Sequence, residues 1–305
     1  MNNQEVTSET VNRTPFQQVH EFQEVFNHPI NTEPQYELFR NDKALVALRI
    51  SLINEEIHEL WEAFNEKDMI EIVDALADIL YVVCGAFHVF GIDCDVYSKE
   101  YLPFSEHMYN EDKQSRLTFK RNFFEEDENV ERLRTAIDTM NQLLVNLKLN
   151  SSVALNSFSS DLYKDTESIP CEQSTEDLKL NRNKRTVAIN NHKTLMIMFN
   201  FENFINTLMD IYNQCFTISS LIMVDIKKCF DEVHRSNMTK VCSTEENAQQ
   251  SVESYIKDER YPSPDYKKST NPKYWMVYEK STLKTLKSID FKTPCLSKII
   301  YEEVP

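Results

Sequence analysis

An all-α fold is predicted by three observations. Only two glycines, Gly85 and Gly91, occur in 305 residues, too few for an architecture of tight β turns. Long apolar runs recur at spacings of three and four, the helical period. The strongest of them, 45–91, is interrupted only by a short polar turn at 65–68, which folds one helix back antiparallel on the other.

The elements follow in chain order. Residues 1–14 are polar and read as a flexible tail. Pro15 then opens an amphipathic helix with Phe16, Val19, Phe22 and Phe26 on one side. His20 and His28 have no partner at metal-ligand spacing and are assigned structural or solvent roles. Residues 15–101 thus form the N-terminal part of a helical domain, closed by the antiparallel pair. Residues 102–194 read as a long, partly disordered insertion. It has a charged linker at 102–128 with Pro103, one helix at 130–149 carrying Leu133, Ile137, Met140, Leu144 and Leu147, and a low-order polar stretch at 150–192 that includes the basic cluster 181–185. Residues 195–240 return to the domain as one or two helices, with Phe204, Leu208, Ile211, Phe216 and Phe230 supplying core. The remainder, 241–305, reads as a short irregular C-terminal tail. Within it Tyr274, Trp275, Val277 and Tyr278 suggest a short strand or aromatic anchor, and Lys280, Lys284 and Lys287 form a basic group.

Composition narrows the function classes. Glycine poverty rules out glycine-rich phosphate loops and dinucleotide fingerprints. A formal net charge of −16 argues against nucleic acid as a partner, where a basic face is needed. Seven scattered cysteines without a CxxC pair indicate neither zinc nor a disulfide framework and are read as reduced thiols. The N-terminus has no apolar core and no run of 18 apolar residues occurs, so neither a signal peptide nor a membrane partner is expected. The cytoplasm is the expected compartment, with the nucleus left open.

The functional reading rests on six carboxylates. Glu55, Glu56 and Glu59 fall on the first helix of the pair; Glu71, Asp74 and Asp78 fall at i, i+3 and i+7 on the second, so they stack on one face. Ile70, Ile72, Val73, Leu76, Ile79 and Leu80 surround that stripe, and a solvated face does not explain why acids interrupt such a helix. Like charges gathered in a partly desolvated cleft need a counter-charge. No lysine or arginine is interleaved at the right spacing. The reading is therefore a cation with oxygen ligands, magnesium or manganese by ligand hardness. A second group, His234, Arg235, Asn237 and Lys240, brings donors to a helix end. Such donors can meet phosphate oxygens or merely complement the helix dipole.

EExxE at 55–59, ExxD at 71–74, the run DALADILYVVCGAFHVFGID and FDEVHRSNMTK at 230–240 together resemble the all-α nucleoside triphosphate pyrophosphatases. These include MazG-like proteins, dimeric dUTPases and phosphoribosyl-ATP pyrophosphohydrolases. The resemblance covers roughly 16–95 and 205–290 and implies a MazG-like antiparallel helical bundle. It implies that Glu56, Glu59, Glu71 and Asp74 hold magnesium with Asp78 in support, and that Glu55 and Glu56 are the catalytic carboxylates, Glu55 orienting or activating water. Asn237 and Lys240, with Arg235 beside them, would contact the triphosphate, and Lys284 and Lys287 would reach it from the tail. The chain departs from the family at Leu283, where a glycine often precedes the first tail lysine. The implied reaction is Mg-dependent hydrolysis of an NTP or dNTP to the monophosphate and pyrophosphate, in pool control or house-cleaning, by a homodimer or homotetramer. Base preference stays open. Phe22, Phe26 and Trp61 are candidates to bracket a base, with core packing the simpler role for each.

Two rival readings stand beside it. Glu55 and His58 satisfy one ExxH of a di-iron carboxylate bundle, a fold that uses two such motifs. A catalytically silent helical regulatory protein on the same fold is the other.

Overall fold

The computed structural model describes residues 13–97, 113–158, 176–257, 261–282 and 284–301. Its centre is the second helix of the acidic pair. Thr14 opens α1 (Pro15–Val25) with a reciprocal capping box: its hydroxyl accepts from the Gln17 amide while the Gln17 side chain reaches back to Thr14. After the short α2 (Leu38–Asn41), Asp42 caps α3 (Lys43–Glu66) by accepting from the Leu45 amide. The reversal is tight. Lys67 ends α3 in the left-handed region at φ 58, and the next residue, Asp68, accepts from the Ile70 and Glu71 amides to start α4 (Met69–Phe90).

Helix α4 is buried almost all round because its apolar residues leave no wide polar face. Ile72, Leu76, Ile79, Leu80, Val83, Phe87 and Phe90 are fully buried, each stabilising the fold by about 1.5–3 kcal/mol on transfer from water. It packs against α1 and α3, and against α8 (Glu176–Leu221), α9 (Ile226–Met238) and α11 (Leu296–Tyr301). Gly91 ends it at φ 69, where a Cβ would lie 1.9 Å from the Glu33 carbonyl oxygen. The loop before α2 meets the helix end there, with the Asn31 and Gln35 amides donating to the His88 and Phe90 carbonyls.

The all-α class holds, with more regular structure than expected in two places. Within the 102–194 stretch, α6 (Lys113–Asn122) and a 3-10 turn (Phe123–Glu125) lie where a linker was expected, and Phe123 is buried. The helix expected at 130–149 runs as α7 (Asp127–Ser157), and α8 already begins at Glu176. Polar composition hid α6 and the end of α7 because packing of an apolar minority, here Leu117, Phe123 and Ala154, sustains such helices more than propensity does. The side chains of the 181–185 cluster lie outside the described residues, as do residues 1–12 of the expected N-terminal tail. Four-residue α5 (Cys94–Tyr97) follows Gly91. Among the described residues no helix is long and apolar enough to cross a membrane.

The segment after Lys240 is also built, not irregular. It holds α10 (Glu245–Ile256) and an antiparallel hairpin of β1 (Pro264–Lys268) and β2 (Trp275–Glu279). A small core of Cys242, Ala248, Val277 and Leu286 joins them. The hairpin loop caps α1: the Ser269 and Thr270 hydroxyls donate to the Val25 and Glu24 carbonyls. The strand suggested by Trp275 and Tyr278 exists. Its partner β1 begins at Pro264, a residue that argues against a central strand but is admitted at the start of an edge strand.

Gly91→Ala is expected to lower the urea-unfolding free energy by more than about 1 kcal/mol, since it combines a left-handed backbone with a clash. A midpoint and slope matching the parent would show that the α4 terminus does not depend on this glycine.

Candidate active site

The tight α3–α4 reversal sets the two acidic groups opposite one another. Glu55, Glu59 and Glu71 are exposed, while Glu56, Asp74 and Asp78 are partly buried. The expected inward-facing cluster is thus a cleft with three acids at its rim and three within. Burial, then Asp78, Glu59 and Glu55, pushes the Glu56 carboxyl far above the usual carboxylate range. Asp74 is pushed up to about 7 by burial and by Asp78, Glu71 and Glu59. Asp78 and Glu59 are raised as well, each chiefly by burial. One oxygen of Asp74, Oδ1, is buried with no hydrogen-bond partner. That leaves an acceptor facing the cleft unused.

Positive charge does reach the cleft, from parts of the chain remote in sequence. Lys284 Nζ lies 2.9 Å from Glu55 Oε1; burial pulls its pKa down, and the Glu55 carboxylate more than offsets this. Lys287 is close enough to lower both Asp74 and Asp78. Lys240 follows α9, and its Nζ stands 6.0 Å from the centre of the Phe22 ring. Burial lowers its pKa although Asp78 and Glu56 pull it up. No basic residue is interleaved with the acids on their own helices, but three lysines from later in the chain offset them in part. Six carboxylates still face three lysines, and Glu56, Glu59, Asp74 and Asp78 stay raised, first by burial and then by one another.

Asn237 is buried and bonds the Tyr81 hydroxyl. Tyr81, one turn after Asp78 on α4, has its Oη 3.1 Å from His234 Nδ1, and His234 Nε2 stands 3.3 Å from Glu21 Oε2. This chain of contacts ties α1, α4 and α9 together beside Asp78. Tyr81 and Glu21 were missed in the sequence, although Tyr81 continues the acidic stripe at i+3. Arg235 is not brought to the cleft. It is exposed and holds Glu232 through Nε at 2.7 Å and Nη2 at 2.8 Å, with the Thr293 carbonyl also accepting from it. An i, i+3 carboxylate on its own helix captured it. His58 is likewise exposed and faces Glu62 at 3.5 Å, so the ExxH geometry of a di-iron site is not formed with Glu55. Phe22 and Phe26 are core residues, and Trp61 packs at a tilt on Phe64. Leu283 lies outside the described residues.

The donor set suits a hard divalent cation: carboxylate oxygens only, with uncompensated charge and an unused buried acceptor. As placed, the acids surround a gap instead of meeting at a point. Among the described residues no three His, Cys, Asp or Glu side chains converge closely enough to hold an ion.

Both acidic groups fall inside a recognisable family segment. The family model for phosphoribosyl-ATP pyrophosphohydrolase matches residues 19–100. A domain of this kind, part of the MazG-like superfamily, is found there. The chain is also similar to an uncharacterized protein, L479, of Acanthamoeba polyphaga mimivirus. The two are 29% identical over 289 residues, which cover 94% of this chain and 96% of that protein. That likeness therefore extends past the acidic helices to the segments carrying Lys240, Lys284 and Lys287. No solved structure matches the chain.

Raised carboxyl groups reverse the usual acid behaviour of a protein. A folded-state pKa of about 7 for Asp74 against about 3.9 unfolded means that the folded chain binds the extra proton between those values, so stability falls as pH rises through that window. Asp74→Asn is expected to stabilise the metal-free protein by on the order of 1–2 kcal/mol at pH 8 after screening is allowed for, and hardly at all at pH 4. Chemical denaturation in EDTA at both pH values measures this; a gain equal at both would remove Asp74 from the charged cluster.

Proposed function

We propose that this protein is a magnesium-dependent nucleoside triphosphate pyrophosphohydrolase, releasing a nucleoside monophosphate and pyrophosphate. The observation that carries this reading is the pair of acidic groups, still in excess over the lysines that face them, within the segment that matches a pyrophosphohydrolase family. Glu56, Glu59, Glu71, Asp74 and Asp78 are the residues that would hold magnesium, or manganese in its place. The ion supplies charge neutralisation on phosphate oxygens and a more acidic bound water.

The remaining chemistry belongs to the chain. Glu55 and Glu56 are the carboxylates that would orient water or accept its proton. Glu56, whose carboxyl is pushed up by burial and then by its acidic neighbours, would release a proton more readily as positive charge enters the cleft. Lys240, Lys284 and Lys287 stand where negative charge would gather on a departing pyrophosphate, and stabilising that charge is the main task in phosphoryl transfer. The buried Asn237 holds the end of α9 against Tyr81 and keeps Lys240 near Asp78. Apolar walls of α3 and α4 keep the dielectric low, so each charge counts for more than it would in water.

We place the activity in nucleotide-pool control or house-cleaning in the cytoplasm, and in a homodimer or homotetramer. Exposed apolar residues on α7 and α8, among them Val145, Leu149, Leu195 and Phe199, support self-association, because such surface is seldom left open to water in quantity. Light scattering on the eluting protein should return a multiple of 35.9 kDa; a monomer at micromolar concentration would remove the oligomer from this reading.

The activity itself is tested by measuring pyrophosphate release from all common and modified nucleoside triphosphates, with magnesium and with EDTA. Magnesium-dependent turnover of at least one nucleotide is expected, with Glu59→Ala and Asp74→Ala each lowering kcat by on the order of 100-fold while the far-UV spectrum is kept. Full activity in both variants would remove the acids from catalysis. No turnover of any nucleotide by the parent would leave a silent relative of the enzymes.

A further inference from the structure

Seven residues before Glu56, on the same face of α3 and about 10 Å along it, the chain buries an arginine. Arg49 is 6% exposed. Its Nε is buried without a hydrogen-bond partner, and among the described residues the guanidinium makes no ion pair. Burial alone pulls its pKa down to about 10, with no acid offsetting the loss. The opposing helix makes room for it: Nη1 lies 3.3 Å from where a Cβ on Gly85 would stand. One of the two glycines in the chain thus faces this guanidinium.

Arg49 lines a pocket of about 530 Å³ between α3, the end of α1 and the hairpin, whose walls include Phe26, His28, Leu45, Lys267, Met276 and Tyr278. The charge in and around it is almost wholly positive. His28, hydrogen-bonded to Thr285 at 3.0 Å, is driven down to about 3 by burial and by Arg49, Lys267 and Lys240, and so stays neutral. Asp42 alone among the lining residues is acidic, and it sits exposed at the rim, engaged as the cap of α3. In a protein of net charge −16, a pocket lined by a buried, unpaired arginine and by Lys267, with Lys240 close enough to act on His28, runs against the overall balance. Guanidinium donors in a fixed fork match the oxygens of a phosphate.

We propose that this pocket is an oxyanion subsite that takes a phosphate or pyrophosphate group on Arg49, with Lys240 and Lys267 beside it. Lys240 also answers to Asp78 and Glu56, so it stands between the pocket and the acidic cleft. The subsite therefore adjoins the reaction centre and receives the pyrophosphate half of the nucleotide; that assignment, unlike the subsite itself, rests on the activity proposed above. Arg49 acts there as a binding residue on the opposite side of Lys240 from the carboxylates. The leaving group would pass from a cleft of acids to a largely apolar pocket whose charges are chiefly those of Arg49 and Lys267, a difference in charge that favours its departure from the monophosphate.

The test separates the subsite from the activity. Pyrophosphate and phosphate are titrated calorimetrically into the full-length protein in EDTA, where the uncovered acids repel anions and turnover does not occur. Pyrophosphate is expected to bind the parent, at least tenfold more weakly to Arg49→Gln, with partial recovery in Arg49→Lys and no loss in Asp74→Ala. Lys267→Gln, a few-fold weaker, provides the same readout should the Arg49 variants fail to fold. Absence of pyrophosphate binding in EDTA, or equal binding by the parent and both glutamine variants, overturns the subsite. With magnesium and a turned-over nucleotide, competitive inhibition by pyrophosphate that weakens in Arg49→Gln supports the leaving-group assignment. Inhibition that does not compete overturns that assignment and makes the pocket a site for a free phosphate effector. An inactive parent that still binds pyrophosphate through Arg49 would sink the proposed activity and leave the subsite standing.

Discussion

Mutual repulsion among carboxylates held between α3 and α4 is the constraint around which the rest of the protein is arranged. Relaxing it would require the two helices to separate, and they cannot, because the other faces of α4 are buried against α1, α8, α9 and α11. Apolar packing of many side chains, each contributing on the order of a kcal/mol or more, outweighs the cost of crowding a few partly solvated acids. The fold thus stores electrostatic work at one place. Such stored work is characteristic of sites where a ligand, and not the protein itself, completes the charge balance.

The lysines around the cleft moderate the repulsion without abolishing it. They come from different contexts: Lys240 from the end of α9, Lys284 and Lys287 from the segment that turns back along β2 after the hairpin. Lys284 is anchored by its bond to Glu55 at the rim, whereas Lys240 is half-buried with its Nζ over the Phe22 ring and reaches the acids only through space. A cation that is paired is already committed. A cation held in a dry environment without a partner keeps its full capacity to attract an incoming anion. Lys240 and Arg49 are of the second kind, and they flank the same region from two sides.

Much of this was legible in the sequence, and the residues show why. The acidic stripe at 71, 74 and 78 follows from helical periodicity alone, and the antiparallel pairing follows from the brevity of the turn at 65–68. Spacing within one helix is a local property, so it survives the absence of a structure. The lysine contacts were not derivable from periodicity; the family resemblance had to suggest them. Arg235 went astray because its nearest competitor, Glu232, lies one turn away on the same helix, a local capture that a motif does not reveal. Arg49 escaped attention altogether, reading as one cation in an apolar run, although a charge at the period of Ile53 and Ile57 marks a buried position. The hairpin and α10 were lost for the opposite reason: their stabilising contacts are distant in sequence and small in number, and proline-rich polar composition masked them.

The dependence of the cleft on Lys284 and Lys287 carries a consequence for biosynthesis. A nascent chain that has left the ribosome only as far as α9 already possesses every acid, yet lacks the hairpin that clasps α1 and both cations that follow it. Partial translation products therefore carry the repulsion without its relief, and the stretch from 264 to 287, made after every one of the acids, acts as the closing half of a centre whose other half was made first.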